Sequence, residues 1–276
     1  MPRAQNGAVE LEYQTFGQGP ETILLVNGLG SQMTRWPEAF CNLLVARGYR
    51  TVRMDNRDVG LSTWPTDPYT LADMSHDAVA VLDAVGAARA HIVGVSMGGM
   101  IVQRMAIDHP GQVKSMTSIM SATGAPGTLR STPEAMAVLN VAPPDPIADY
   151  AAFLDHSVAN ALTIGSPDYP WPPGDLRARA EAEHRRGFNP PGVARQRAAI
   201  MADGDRTTGL NALAIPTVVL HGADDPLVQP IGGETTVAAV PGAELRMIPG
   251  MGHDMPPGLY DIFLDAICSA LGRASA

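Results

Sequence analysis

The stretch that decides the fold is His91-Ile-Val-Gly-Val-Ser-Met-Gly-Gly-Met100. Its β-branched first half predicts a buried strand, and the run over residues 97–109, which a proline ends, predicts a helix. The pentapeptide Gly94-Val-Ser-Met-Gly98 between them matches G-x-S-x-G, in which a serine occupies a sharp turn from strand to helix. Glycines beside such a turn leave room for neighbouring backbone, and the helix N-terminus offers free N–H groups. Ser96 is therefore a candidate nucleophile.

A serine nucleophile needs a base, and His253 is the candidate among seven histidines. It lies in the loop Ile248-Pro-Gly-Met-Gly-His-Asp-Met-Pro256, which follows a strand-like run over residues 244–248. A loop at the end of a core strand suits a mobile base. Four other histidines are expected to be structural or solvated, because they lie at a strand start, at a helix end or in polar helical segments: His91, His109, His156 and His184.

The base needs a carboxylate to orient it, and two candidates stand side by side. The run Ile215-Pro-Thr-Val-Val-Leu-His-Gly222 predicts a buried strand, and Asp224 and Asp225 follow it directly. Adjacent side chains point in different directions. Only one of the two carboxylates can therefore accept the Nδ1 proton of His253.

The chain order serine, aspartate, histidine is that of the α/β-hydrolases, and the chain resembles the serine hydrolases of this fold along nearly its whole length. It is similar to capped carboxylesterases related to the aclacinomycin methylesterases. Five motifs in the family's order carry the resemblance: Leu24-Leu-Val-Asn-Gly-Leu-Gly30, Arg53-Met-Asp-Asn-Arg-Asp-Val-Gly-Leu-Ser62, Gly94-Val-Ser-Met-Gly98, His221-Gly-Ala-Asp-Asp225 and Gly250-Met-Gly-His253.

The resemblance implies roles for particular residues. In the family's H-G-x-x-D motif the acid is the last residue, which is Asp225 here and leaves Asp224 as a turn-capping or solvated residue. The family's oxyanion hole implies the backbone N–H groups of Leu29 and Met97 as donors. Asn27 stands where the family usually has histidine, and we expect this departure to alter loop packing without loss of function.

Three residues are candidates for the wall of a substrate pocket: Gly28, Trp36 and Trp171. Core packing is the alternative for Trp36, and burial inside the inserted segment is the alternative for Trp171. The glycine-containing segment over residues 55–62 is predicted to be structural, because Asp and Arg brace such turns by hydrogen bonds. A direct substrate contact from one of its charged residues is the alternative.

Alternating strand-like and helical runs predict an α/β fold, the α/β-hydrolase fold, with a mostly parallel central sheet, helices on both faces and an antiparallel hairpin at one edge. We expect core residues 1–122 and 203–276, with residues 123–202 inserted as a helical cap. The predicted strands cover residues 9–15, 22–26, 49–54, 91–95, 114–119, 217–221 and 244–248. The predicted helices cover residues 36–47, 71–85, 97–109, 147–162, 176–186, 233–240 and 257–271.

Composition limits the partners. The net charge is −9 and no basic cluster is present, so nucleic acid and anionic membranes are poor partners. Two cysteines are too few for a disulfide framework and are expected to be free buried thiols. The first residues lack an apolar h-region, which favours a cytoplasmic enzyme. No metal or cofactor motif is visible, so we expect none, and a homo-oligomer is left open.

These features predict an enzyme that hydrolyses small to medium hydrophobic carboxylic esters through an acyl-enzyme, with the small-molecule ester and water as its partners. Lactone hydrolysis, carbon–carbon bond hydrolysis and cofactor-free haloperoxidase or perhydrolase chemistry are alternatives, because the family runs them on the same three residues. Dehalogenases and epoxide hydrolases are disfavoured, since they carry aspartate in place of Ser96. A binding protein without catalysis is the alternative from a different class.

Overall fold

A single eight-stranded sheet forms the centre of the computed structural model, which describes residues 2–274. The strand order is β1-β2-β4-β3-β5-β6-β7-β8; β1 and β2 are antiparallel to their neighbours and the remaining pairs are parallel. The strands are β1 (Arg3–Asn6), β2 (Val9–Phe16), β3 (Thr22–Val26), β4 (Arg50–Met54), β5 (Ala90–Val95), β6 (Val113–Ile119), β7 (Thr217–Gly222) and β8 (Glu244–Ile248).

Helices cover both faces of this sheet. They are α1 (Glu38–Val45), α2 (Leu71–Ala84), α3 (Met97–Asp108), α4 (Pro133–Asn140), α5 (Tyr150–Ile164), α6 (Asp175–Arg186), α7 (Pro190–Asp203), α8 (Thr207–Asn211), α9 (Ile231–Ala239) and α10 (Tyr260–Ala274). Helices α4–α8 lie between β6 and β7 in the chain. None of the helices within residues 2–274 is long and apolar enough to cross a membrane.

Strand β3 shows how the two cores form. All five of its residues are buried, and successive side chains alternate between the sheet faces. Leu24 and Val26 belong to a hydrophobic cluster with α2 and α3, whereas Ile23 and Leu25 belong to a second cluster with α1 and α10. Burial on both faces explains why β3 is apolar along almost its whole length. The predicted fold class and edge hairpin are thereby confirmed.

The four helices α4–α7, which we call the helical insertion, are held to the core by ion pairs with buried carboxylates. Arg195 of α7 binds both carboxylate oxygens of Asp58, and Arg186 of α6 lies 2.6 Å from Asp55. Arg57 instead pairs with Asp77 of α2, at 2.6 and 2.8 Å. The charged residues of segment 55–62 are thus occupied by protein partners, which favours the structural interpretation of that segment.

The structure adds elements that the sequence patterns did not predict. Strand β1 is short and polar, with Ala4 as its buried residue, so it carries almost no apolar alternation. Helices α4 and α7 begin at prolines, which occupy the first turn after the capping residues Thr132 and Asn189. The two cysteines are free, but Cys268 is only half-buried, whereas Cys41 is buried as expected.

Candidate active site

Ser96 lies between the end of β5 and the first residue of α3, with φ 55° and ψ −122°. This backbone conformation is strained for a residue with a side chain and costs about 1–3 kcal/mol, which the surrounding structure must offset. The flanking glycines are required by close packing. A Cβ on Gly94 would lie 2.1 Å from the Gly98 carbonyl oxygen, and one on Gly98 would lie 2.3 Å from that of Val26. The G-x-S-x-G spacing thus follows from the turn itself.

Three side chains from separate loops form one hydrogen-bonded chain. Ser96 Oγ lies 3.0 Å from His253 Nε2, and His253 Nδ1 lies 2.7 Å from Asp225 Oδ2. An ionised carboxylate can only accept, so Nδ1 carries the proton and Nε2 is free to accept one from the serine. Asp225 Oδ1 also accepts the N–H groups of Leu227 and Val228, each at 2.9 Å, which fixes the carboxylate.

The neighbouring carboxylate has a different task. Asp224 Oδ2 accepts the Gly250 N–H at 2.7 Å and thereby braces the loop that leads to His253. The structure therefore brings Asp225, and not Asp224, to the imidazole. The buried His221 sits beside this pair, with its Nε2 2.7 Å from the Val228 carbonyl oxygen, and burial lowers its pKa.

The residues expected to stabilise an oxyanion border the serine. A Cβ on Gly28 would lie 3.1 Å from Ser96 Cβ, so the loop after β3 lies directly against the nucleophile. Neither the Leu29 N–H nor the Met97 N–H donates to another group within residues 2–274. The Asn27 side chain is fully buried, and its Oδ1 and Nδ2 likewise meet no partner in that part of the chain.

The helical insertion holds the loop that carries His253. The His253 N–H donates to the Ile164 carbonyl oxygen at 2.7 Å, and the Gly252 N–H donates to Ser166 Oγ at 2.9 Å. Asp254 accepts the Ser166 N–H at 3.0 Å and the Trp171 indole N–H at 2.7 Å. Burial raises the pKa of Asp254, while its hydrogen bonds with Ser166 and Trp171 oppose that shift.

Sequence reasoning missed these supports. Asp254 and Ser166 are 88 residues apart, and no local pattern relates them. The one available signal was the position of Asp254 directly after His253.

The two tryptophans proposed for the pocket wall differ. Trp36 is fully buried, and its ring centroid lies 5.3 Å from that of Phe40 within the hydrophobic cluster around α1 and α10. Core packing therefore accounts for Trp36, which corrects the expectation that it lines a pocket. Trp171 is half-buried, and the Arg179 guanidinium stacks 4.7 Å from its ring centroid.

Trp171 also lines a cleft of about 910 Å³ between α5 and α6. The walls of the cleft are mostly apolar, and through Asp224, Pro226 and Asp254 the cleft borders the loops that carry Asp225 and His253. Its apolar lining residues include Val158, Ala161, Leu162, Pro167, Pro170 and Leu176. Across residues 2–274 no group of three or more His, Cys, Asp or Glu side chains could hold a metal ion.

Known proteins are similar to this chain in sequence and in fold. Residues 21–256 match the family model described as alpha/beta hydrolase fold. The provisionally named carbamate hydrolase RutD of Caulobacter sp. strain K31 is 30% identical over 99% of this chain and 100% of its own length. Rhodomycin D methylesterase DnrP of Streptomyces peucetius is 25% identical over 90% and 89%. The solved meta-cleavage product hydrolase of Pseudomonas fluorescens IP01 superposes with a TM-score of 0.80 at 18% identity, over 99% and 98%. The chain therefore belongs to the α/β-hydrolase-fold family of hydrolases.

Proposed function

We propose that this hydrolase cleaves carboxylic esters of small to medium hydrophobic substrates, with Ser96 as nucleophile, His253 as base and Asp225 as the acid that orients it. The observation that carries the proposal is the hydrogen-bonded chain from Ser96 Oγ through His253 to Asp225, at 3.0 and 2.7 Å. A serine, a histidine and a carboxylate in that contact form the arrangement that activates a hydroxyl for attack on a carbonyl.

In the first half of the reaction, Ser96 Oγ attacks the ester carbonyl carbon and its proton passes to His253 Nε2. The C–O bond to the leaving alcohol then breaks, and the imidazolium returns that proton to the departing oxygen. In the second half, water attacks the acyl-serine and loses a proton to His253. The acid is released when the bond to Ser96 Oγ breaks, and the serine regains its proton. Asp225 holds the imidazole tautomer and stabilises the imidazolium throughout.

The negative charge that develops on the carbonyl oxygen needs donors in place beforehand. The N–H groups of Leu29 and Met97 flank Ser96 and have no internal acceptor within residues 2–274, so both are available to such an oxygen. Loss of one donor in sites of this kind lowers kcat by about 10²–10³-fold.

The ester class rests on the cleft and on one relative. Apolar walls around Trp171 favour hydrophobic substrate groups, and the Streptomyces peucetius relative is a methylesterase. We propose in addition that residues 123–202 act as a cap over the site, because α5, α6 and the segment between them line this cleft. Carbamate hydrolysis is the second candidate, since the Caulobacter relative at 30% identity carries that name.

A matched substrate panel tests the proposal. Purified protein is assayed with p-nitrophenyl butyrate, the corresponding N-propyl carbamate, a γ-lactone and a vinylogous 1,5-diketone, with Ser96→Ala as the control for each. Ester turnover with the highest kcat/KM and its loss in Ser96→Ala supports the ester assignment. A carbamate kcat/KM above that of the ester, under multiple turnovers, would replace it with the second candidate.

A further inference from the structure

The side chain of Gln196, on α7 of the helical insertion, joins the loop after β3 to the core. It is fully buried, its Oε1 accepts the Gly30 N–H at 2.8 Å, and its Nε2 donates to the Arg57 carbonyl oxygen at 2.8 Å. We propose that Gln196 is a positioning residue for the oxyanion hole, holding the loop that presents the Leu29 N–H beside Ser96. This inference rests on the proposed function.

The loop needs such a support because its shape depends on one peptide plane. The Ser31 N–H donates to the Gly28 carbonyl oxygen at 3.2 Å, which closes a four-residue turn. Gly30, the third residue of that turn, has φ +63°, the sign that separates a type II turn from a type I turn. The two turn types differ by rotation of the peptide between Leu29 and Gly30. An acceptor on the Gly30 N–H therefore selects one of them and fixes the backbone next to the Leu29 donor.

The orientation of the Gln196 amide is determined by its partners. The Arg57 carbonyl can only accept and the Gly30 N–H can only donate, so a rotated amide would lose both hydrogen bonds. The anchor is rigid, because the Arg57 side chain is held by both carboxylate oxygens of Asp77. Val193, also on α7, closes the space next to the loop, since a Cβ on Gly30 would lie 3.0 Å from its Cγ2. The packing of α7 on the core is thus coupled to the conformation of the turn over residues 28–31.

Two substitutions of Gln196, by methionine and by glutamate, test this role. Gln196→Met keeps the side-chain volume and removes both hydrogen bonds. We expect kcat on the ester to fall by roughly 10- to 100-fold and KM to change less than about threefold. The Leu29 N–H is still present in this variant, but its orientation is less well fixed. The matched control is Arg197→Met, the next residue on α7, which contacts Leu139 and Asn140 and not the loop. The control should keep kcat within about twofold.

Gln196→Glu supplies a readout that a purely structural role would not move. When protonated, the introduced carboxyl can accept from Gly30 and donate to the Arg57 carbonyl, as the amide does. Burial raises the pKa of such a carboxyl, so the variant should approach wild-type activity at about pH 6 and lose it toward pH 9. Dividing by the wild-type rate at each pH removes the titration of the rest of the site.

Hydrogen exchange of the Gly30 amide provides a measurement independent of turnover, and we expect it to accelerate at least tenfold in Gln196→Met. A folded Gln196→Met protein with unchanged kcat and unchanged Gly30 exchange would overturn the inference, as would equal loss of kcat in Arg197→Met. If Gln196→Met does not fold, a flat ratio for Gln196→Glu from pH 6 to 9 overturns it instead. Failure of the wild type to hydrolyse any ester would refute the proposed function, and Gly30 exchange would still decide the role of Gln196.

Discussion

At the scale of single residues, the hydrogen-bond partners of each side chain in the candidate site determine its role. Asp224 and Asp225 are neighbours in the chain, yet one braces a loop through the Gly250 N–H and the other binds His253 Nδ1. Its position in the motif favoured Asp225 as the partner of the histidine. In the structure the Oδ2 atom of Asp225 contacts His253, while its Oδ1 atom is held by the N–H groups of Leu227 and Val228. The candidate site residues that the sequence predicted are those with a local motif.

Asparagine substitution separates the two carboxylates. Asp225→Asn should lower kcat by about 10³–10⁴-fold, because the amide stabilises the wrong imidazole tautomer and cannot support the imidazolium. Asp224→Asn is the matched control and should lower kcat less than about tenfold, since it weakens a hydrogen bond to a loop. Steady-state kinetics on one activated ester, with circular dichroism to confirm folding, makes the comparison. A larger loss in Asp224→Asn would reverse the assignment.

At the scale of elements, the loop of His253 and the helical insertion form one hydrogen-bonded unit. The His253 N–H binds the end of α5, and Asp254 binds Ser166 and Trp171 in the segment between α5 and α6. These contacts join residues more than eighty positions apart, which is why sequence periodicity could not predict them. Helix α7 escaped prediction for a local reason, since Pro190 at its first turn looks like a helix breaker until the Asn189 cap is recognised.

We expect Trp171 to have two roles, one as a hydrogen-bond donor to Asp254 and one as a wall of the cleft, and two substitutions distinguish them. Trp171→Phe keeps an aromatic ring in the cleft and removes the hydrogen bond to Asp254, so we expect a lower melting temperature and a several-fold lower kcat with unchanged acyl chain-length preference. Trp171→Ala also removes the ring and should shift the preference toward longer acyl chains, because the cleft widens. Measuring kcat/KM from acetate to decanoate esters alongside the melting temperature tests both. A shift in preference already present in Trp171→Phe would contradict this division.

At the scale of the whole molecule, the sequence predicted the sheet well because its strands are buried on both faces and separated by amphipathic helices. Strands β3, β5 and β7 are fully buried, and each lies where its largely apolar run predicted it. What alternation could not predict is how the helical insertion sits on the core. That placement depends on pairs such as Arg195 with Asp58 and Arg186 with Asp55, whose members meet only in the folded chain.

The buried His91, near the start of β5, should make stability depend on pH. His91 Nδ1 lies 2.8 Å from Ser115 Oγ and its Nε2 lies 3.4 Å from Glu21, and burial lowers its pKa to about 4, with Lys114 and Arg89 acting in the same direction and Glu21 opposing them. The unfolded chain, with a histidine pKa of about 6.5, binds the proton more readily than the folded chain. The contribution of neutral His91 is therefore present above about pH 6.5 and is lost as the pH falls through about 4.

Between pH 7 and pH 4.5 we expect the melting temperature of His91→Gln to fall less than that of the wild type. The difference between the two falls should be at least about 2 °C. Thermal unfolding followed by circular dichroism at several pH values provides the comparison. His156→Gln, a replacement of a half-buried histidine on α5, is the control. Identical pH dependence in His91→Gln and the wild type would show that His91 does not contribute.

The most direct test of the proposed mechanism is covalent capture of the nucleophile. Native protein is treated with a fluorophosphonate, and the adduct is located by peptide mass spectrometry. We predict one adduct, on Ser96, that is absent in Ser96→Ala and forms at least about 100-fold more slowly in His253→Ala, because the hydroxyl then lacks its base. An adduct on another residue, or none in protein that hydrolyses esters, would contradict the assignment of Ser96 as the nucleophile.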